Sequence, residues 1–361
     1  MERGDSIRKK TSKIMSLVLA GAMVLSMTAC AGNTAETTSA AAKSQETAAD
    51  TASKAEETTG AEASESETAA KAEGTTYKIG VLQLVQHTAL DAANDGFIAA
   101  LDDAGIAYEV DQQNASGDQS ACQTVASKFA NEKKDLILAI ATPAAQAMVG
   151  AVEDTPVLIT AVTDPAESGL VDTNEKPGAN VTGTSDLTPV KEQIDLLKQL
   201  VPEAKTVGVL YCSAESNSKI QADMAKEAIA AAGMESKEYT VSSSNEIQTV
   251  VQSMVGAVDA VYAPTDNVIA AGMATVGMVA GDNNLPVICG EAGMVQNGGL
   301  ATYGIDYYQL GYMTGQQAVK ILTEGASPAD MPIEYLPAEK CELTVNEETA
   351  QTLGIDVSGL K

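Results

Sequence analysis

The sequence predicts an α/β protein built as two doubly wound parallel-sheet lobes joined by a hinge that the chain crosses three times. Three observations carry this reading. The stretch YKIGVLQLVQHTALDAANDGF, Tyr77 to Phe97, reads as a buried strand, a polar turn and an amphipathic helix, the opening unit of an α/β domain. A similar unit recurs about 128 residues further on, Lys78 being answered by Thr206. Between the two copies lies a run of small polar residues, Asn180 to Thr188, suited to a hinge.

Taken in order, the chain opens with Arg3, Arg8, Lys9, Lys10 and Lys13, an apolar stretch from Ile14 to Met27, and Thr28-Ala29-Cys30. A basic segment followed by an apolar segment too short for a comfortable membrane span is an export signal. A cysteine directly after small residues resembles the bacterial lipobox, so residues 1–30 are read as a lipoprotein signal peptide with Cys30 as the lipidated residue. Met27 stands where that pattern prefers Leu. Residues 31–74 are almost wholly Ala, Thr, Ser, Glu and Lys, a composition that cannot build a core and is expected to stay disordered. Such a linker would span roughly 35 to 40 Å as a flexible coil, holding a domain clear of a membrane.

From Thr75 onward the remaining 287 of the 361 residues suffice for two lobes of ordinary size. The first helix places Leu90, Ala93, Phe97, Leu101 and Ala104 on one face. Strands follow at 107–110, 135–141 and 156–162, and their alternation with helices implies a parallel sheet. In the second copy KIGVLQ returns as TVGVLY, Ala104-Gly105 as Ala232-Gly233, DLILAIATP as DAVYAPTD, and TPVLITAVTDP as LPVICGEAG. Each parallel is weak alone, because buried strands resemble one another; four in one order are not. Residues 75–185 and 292–325 are assigned to lobe one, and 186–291 and 326–361 to lobe two. This puts the strand 300–303 on lobe one and 333–354 on lobe two.

Composition narrows the function. A formal net charge of −27 includes +3 from the first 30 residues, so the mature surface is strongly acidic and disfavours nucleic acid as a partner. Cys122, Cys212, Cys289 and Cys341 are scattered without a CxxC pair, and His87 is the single histidine, so nothing calls for a metal or a cofactor. No GxSxG, P-loop, HExxH or GxGxxG follows either first strand, which argues against an enzyme.

Ligands of open α/β sheets meet the carboxyl ends of the strands. In lobe one these ends carry Gln83, Gln86, His87, Thr142, Thr163 and Asp164; in lobe two, Ser213, Thr265, Asp266, Asn267 and Glu291; at the crossings, Ser185, Asp186 and Asp306. Asp266 and Ser185 are equally readable as helix caps, and Asp164, before Pro165, as a turn residue.

GVLQLVQHTALDAANDGF, TAVTDPAESGLV, NVTGTSDLTPVKEQIDLLKQLVP and ELTVNEETAQTLGI resemble the TrpX-like group of ABC-transporter substrate-binding proteins, over essentially all of residues 77 to 356. The resemblance implies a type I periplasmic-binding-protein fold and capture of a small solute, tryptophan or another aromatic amino acid, between the lobes. It implies an ABC permease and its ATPase as partners and a monomer; with Cys30 as the lipid anchor to the membrane, the protein is expected on the outer face of the cytoplasmic membrane or in the periplasm. In related amino-acid binders the loops after the third and fourth strands of lobe one hold the ligand carboxylate, and an acid of the opposing lobe takes the ammonium. Carried onto this chain these are Thr142 and Thr163, then Glu291, with Asp266 as competitor. The alternatives are a ligand sensor built on the same two lobes and capture of a different small solute, another amino acid, a sugar or a purine.

Overall fold

The computed structural model describes residues 75–360. Cys30, the signal segment 1–30 and the linker 31–74 lie outside the described residues. Lobe one begins β1 (Tyr77–Gln83), α1 (Thr88–Asp103), β2 (Tyr108–Asn114), α2 (Gln119–Glu132), β3 (Leu136–Ile140), α3 (Thr142–Val149), β4 (Val157–Val162) and β5 (Val181–Ser185). Lobe two follows with α4 (Val190–Leu200), β6 (Thr206–Cys212), α5 (Ser216–Ala231), β7 (Glu235–Val241), α6 (Ile247–Met254), β8 (Ala260–Ala263), α7 (Asn267–Ala271), α8 (Met273–Asp282), β9 (Val287–Cys289), α9 (Ala292–Gln296) and β10 (Ala301–Gly304). The chain then returns for α10 (Tyr307–Glu324) and β11 (Glu334–Tyr335), and ends with β12 (Glu342–Val345) and α11 (Glu347–Leu353).

Two six-stranded sheets result, ordered β11-β5-β4-β3-β1-β2 and β12-β10-β9-β8-β6-β7. Strands β1 and β6 each sit between the strand that follows and the one after it, so both lobes carry the same doubly wound core, as the duplicated sequence predicts. The central strands β3 and β4 are buried along their whole length, as their Leu, Ile, Val and Ala residues, broken only by Thr160, require of strands covered on both faces.

Three placements differ from the sequence reading. The run Asn180 to Thr188 is mostly strand: the β-branched Val181 and Thr182 pair β5 with β4, leaving only residues 186–189 as the first crossing. The strand at 300–303 belongs to lobe two, where β10 pairs β9 in parallel and β12 antiparallel. Glu334–Tyr335, assigned to lobe two, instead extends the lobe-one sheet beside β5. The second and third crossings therefore fall at 305–306 and 336–341, and three crossings remain. The antiparallel β12 is the one departure from a parallel lobe-two sheet.

The α1–α10 pair fixes one wall of the cleft. Ala93, Phe97, Ala100 and Leu101 of α1 are buried against α10, and the two backbones approach so closely that a Cβ at Gly96 would strike the Tyr308 carbonyl and one at Gly311 the Ala93 carbonyl. Glycine at 96 and 311 thus brings the first turn of α10, with Tyr307, beside the first turn of α1, with His87 and Leu90. Among the described residues Cys122, Cys212, Cys289 and Cys341 are free thiols. No helix among them is long and apolar enough to cross a membrane.

Candidate ligand site between the lobes

The cleft-facing strand ends close on a small cavity of about 10 Å³, lined by His87, Leu90, Ala161, Asp186, Asn217, Thr265, Asp266, Asn267, Ala270, Glu291 and Tyr307. Both lobes and the first crossing contribute.

The lobe-two rim is acidic by construction. Glu215, Asp266 and Glu291 occupy the position preceding α5, α7 and α9, one carboxylate after each of β6, β8 and β9. Asp266 is spent on its cap: its two oxygens accept from the backbone N–H groups of Cys212 at 2.5 Å and Ile269 at 2.8 Å, and Val268 N–H and the Ser218 hydroxyl also donate to it. A carboxylate accepts about four hydrogen bonds, so Asp266 has none to spare. Glu291 accepts from Gly293 and Met294 N–H only and keeps two lone-pair directions open toward the cavity. Glu215 accepts from the Asn267 side chain at 2.7 Å and its N–H at 3.3 Å.

Asp186, in the first crossing, accepts from the Thr163 hydroxyl at 3.2 Å and the Tyr307 hydroxyl at 2.8 Å. It too retains acceptor capacity. Burial pushes the Asp186 carboxyl up to about 6 and the Glu291 carboxyl up to about 7, the charge on Asp186 adding to the latter. Glu215 is raised to about 8 by burial and by the charge on Asp266. No lysine or arginine lines the cavity, and the chain's only arginines are Arg3 and Arg8. A pocket that buries carboxylates without a cation is completed by a positively charged ligand group or by protons.

Lobe one answers with neutral groups. His87 precedes α1 without any side-chain cap, and Ala141 stands in the same position before α3. The first-turn N–H groups of α1 are therefore uncapped donors at the cavity, suited to an anion, whereas α3 has Pro143 in its first turn and does not line the cavity. His87 Nε2 meets Asn267 Oδ1 at 3.3 Å across the cleft while its buried Nδ1 has no protein partner, and burial lowers its pKa so that the ring is neutral. The strand ends here are strained: Ala141 and Ala161 have φ of 82° and 54°, with β4 bulging between Ile159 and Val162. Such conformations gather where backbone must be aimed at a ligand.

The fourteen residues expected at the site divide, and two of them, Gln86 and Ser213, are exposed and do not line the cavity. His87, Asp186, Thr265, Asp266, Asn267 and Glu291 come together around the cavity. Thr163 lies just behind Asp186. Thr142 is buried with an unpartnered hydroxyl but does not line the cavity. Gln83 braces the first turn, donating to Val85 O at 2.9 Å and Asp91 Oδ1 at 2.6 Å. Asp164 sets a turn, accepting from Ala166 and Glu167 N–H and from Asn174. Ser185 ties β5 to β4 by donating to Thr163 O at 2.7 Å, and Asp306 is an exposed cap of α10. Leu90, Ala161, Asn217 and Ala270 line the cavity without having been expected there, and Tyr307 lines it beside them. Glu215, also missed, had a signal: it sits at the same offset in the second copy as His87 in the first.

Two lobes closing a cavity by three crossovers define a solute-binding protein of the type I periplasmic-binding-protein fold. Residues 78–359 match the model of the ABC transporter substrate binding protein family, and the chain belongs to that family. It is 41% identical to the tyrosine-binding protein of Clostridioides difficile, over 95% of this chain and 93% of that one. A Streptococcus pneumoniae ABC domain solved in complex with L-Trp is 40% identical and superposes with a TM-score of 0.76, covering 78% of this chain and 96% of its own. The ligand-free, open structure of a Clostridium difficile substrate-binding protein is 46% identical, covering 79% and 97%, yet its TM-score is 0.61. The lobes here are thus arranged more like the ligand-bound relative than the open one.

Proposed function

We propose that this protein is an extracytoplasmic, lipid-anchored receptor that captures an aromatic amino acid between its lobes and hands it to an ABC permease. The observation that carries this is the asymmetry of the cleft: an uncapped helix end on one rim, buried carboxylates on the other. That pattern fits a zwitterion, with the ligand carboxylate on the N-terminus of α1 and its ammonium between Glu291 and Asp186. Glu291 is preferred to Asp266 because Asp266 is saturated by its own cap. Leu90, Ala161, Ala270 and the Tyr307 ring supply an apolar wall for the side chain, and tyrosine and tryptophan are the ligands named for two relatives about 40% identical.

The anchor is assigned to Cys30, so Cys30→Ser should release the protein from the membrane fraction. A thermal-shift screen of the twenty amino acids, with myo-inositol and purines as controls, tests the ligand class. Tyrosine or tryptophan should raise the melting temperature most, since a ligand at about 100 times its Kd adds about 2.7 kcal/mol of stability. A shift confined to sugars or purines contradicts the proposal.

A further inference from the structure

Four side-chain hydrogen bonds cross directly between the lobes among the described residues. Gln119 Nε2 donates to Ala214 O and Gln146 Nε2 to Ser216 Oγ, both at 3.3 Å on the exposed rim, and His87 meets Asn267 at 3.3 Å inside the cavity. The fourth, Gln221 Nε2 donating to Thr163 Oγ1 at 3.1 Å, is sealed from solvent. Gln221 is fully buried and does not line the cavity.

Its amide is set before the lobes meet. Within lobe two the Thr265 hydroxyl donates to Gln221 Oε1 at 2.8 Å while Gln221 Nε2 donates to Thr265 O at 3.1 Å, so one residue at the end of β8 holds both ends of the amide. The second N–H is directed at Thr163 of lobe one at 3.1 Å, with the Asn217 carbonyl of lobe two a more distant acceptor at 3.4 Å. The Thr163 hydroxyl that accepts it donates onward to Asp186 Oδ1, and Asp186 Oδ2 accepts from Tyr307. Asp186 lies in the first crossing and Tyr307 follows the second. The chain Thr265–Gln221–Thr163–Asp186–Tyr307 thus runs from the floor of lobe two through two of the three crossings, its donors all directed at one carboxylate.

We infer that Gln221 is a positioning residue, a latch that raises affinity by holding the closed state and by orienting Asp186 without touching the ligand. The inference rests on the capture reading above. A buried hydrogen bond made only on closure weights the closed state, whereas the exposed rim contacts exchange with water at little gain. A ligand bound only by the closed form leaves no faster than the cleft opens, so the latch acts on the dissociation rate.

The test uses Gln221→Ala and Gln221→Met, the second keeping the side-chain volume, with tyrosine and tryptophan as probes. Both variants should bind each amino acid roughly 3- to 10-fold more weakly, with the same factor for the two, carried by faster dissociation at an unchanged association rate. Thr163→Val should cost at least as much, and Gln221→Ala added to it should cost little further, because both changes break one bond. Thr163→Ser, which keeps the hydroxyl, should stay near wild type. Unchanged dissociation alongside a lowered melting temperature marks Gln221 as ordinary packing and overturns the latch. A changed preference between tyrosine and tryptophan marks it as a ligand contact and overturns it equally. A wild-type protein that binds neither probe removes the capture reading and the latch together.

Discussion

The two lobes share one topology and present opposite chemistry to the cleft. After β1 and β3, the helices of lobe one begin at His87 and Ala141, neither of which caps with its side chain; after β6, β8 and β9, those of lobe two are preceded by Glu215, Asp266 and Glu291. One architecture therefore yields a donor-rich rim and an acceptor-rich rim through the choice of residue before each helix. Capping is usually a stability device worth about 1 kcal/mol; here it also decides which end of a ligand each lobe can bind. Leaving side-chain caps off α1 and α3 gives up local stability in exchange for free N–H groups, whereas α2 keeps the Asp118 cap and, in lobe two, Glu215 makes no cap hydrogen bond to α5.

The comparison breaks most sharply at Glu291. Glu291→Gln keeps its shape and removes its charge, and should weaken amino-acid binding roughly 10- to 100-fold by calorimetry, the size of a charge-assisted hydrogen bond. If the loss is under about threefold, Glu291 is a cap and nothing more.

Acidification should weaken binding next most. The raised carboxyls of Asp186 and Glu291 must lose their protons to pair with an ammonium, whereas the amino acid's own charges stay fixed over this range. Affinity should fall on the order of 10-fold between pH 7.5 and 5.5, and Glu291→Gln should flatten that profile. Stability of the ligand-free fold runs the other way. Between the ordinary carboxyl values of 3.8 and 4.5 and the raised values of about 6 and 7, the folded chain holds more protons than the unfolded one, so these groups make it less stable as pH rises through that window.

The smallest effect on affinity is expected at Asp266. Asp266→Asn should lower the melting temperature, by about 0.5–2 kcal/mol of stability lost at the α7 cap, while changing affinity less than Glu291→Gln does. The reverse order would exchange the roles of these two acids.

Much of this was legible in the chain. The repeat of KIGVLQ as TVGVLY required two similar lobes, and the strand-end rule found six of the eleven cavity residues. What escaped it was decided by the tertiary fold. β10 and β11 are short strands whose sheet is chosen by where the crossings lead, which their few residues do not encode. Tyr307 reaches the cavity only because glycine at 96 and 311 lets α10 press onto α1. Asn217 and Ala270 lie inside the first turns of helices rather than at strand ends, and Gln83 and Asp164, though at strand ends, spend their polar atoms on the turns beside them.

The claim that each rim reads a different end of a zwitterion is met most directly by calorimetry on tyrosine beside tyramine, which lacks the carboxylate, and 3-(4-hydroxyphenyl)propionate, which lacks the ammonium. The account predicts that both analogues bind at least about 10-fold more weakly than tyrosine, and that Glu291→Gln weakens tyramine while leaving the propionate unaffected or improved. Equal binding of all three, or a Glu291→Gln variant that loses the propionate and keeps tyramine, would contradict it.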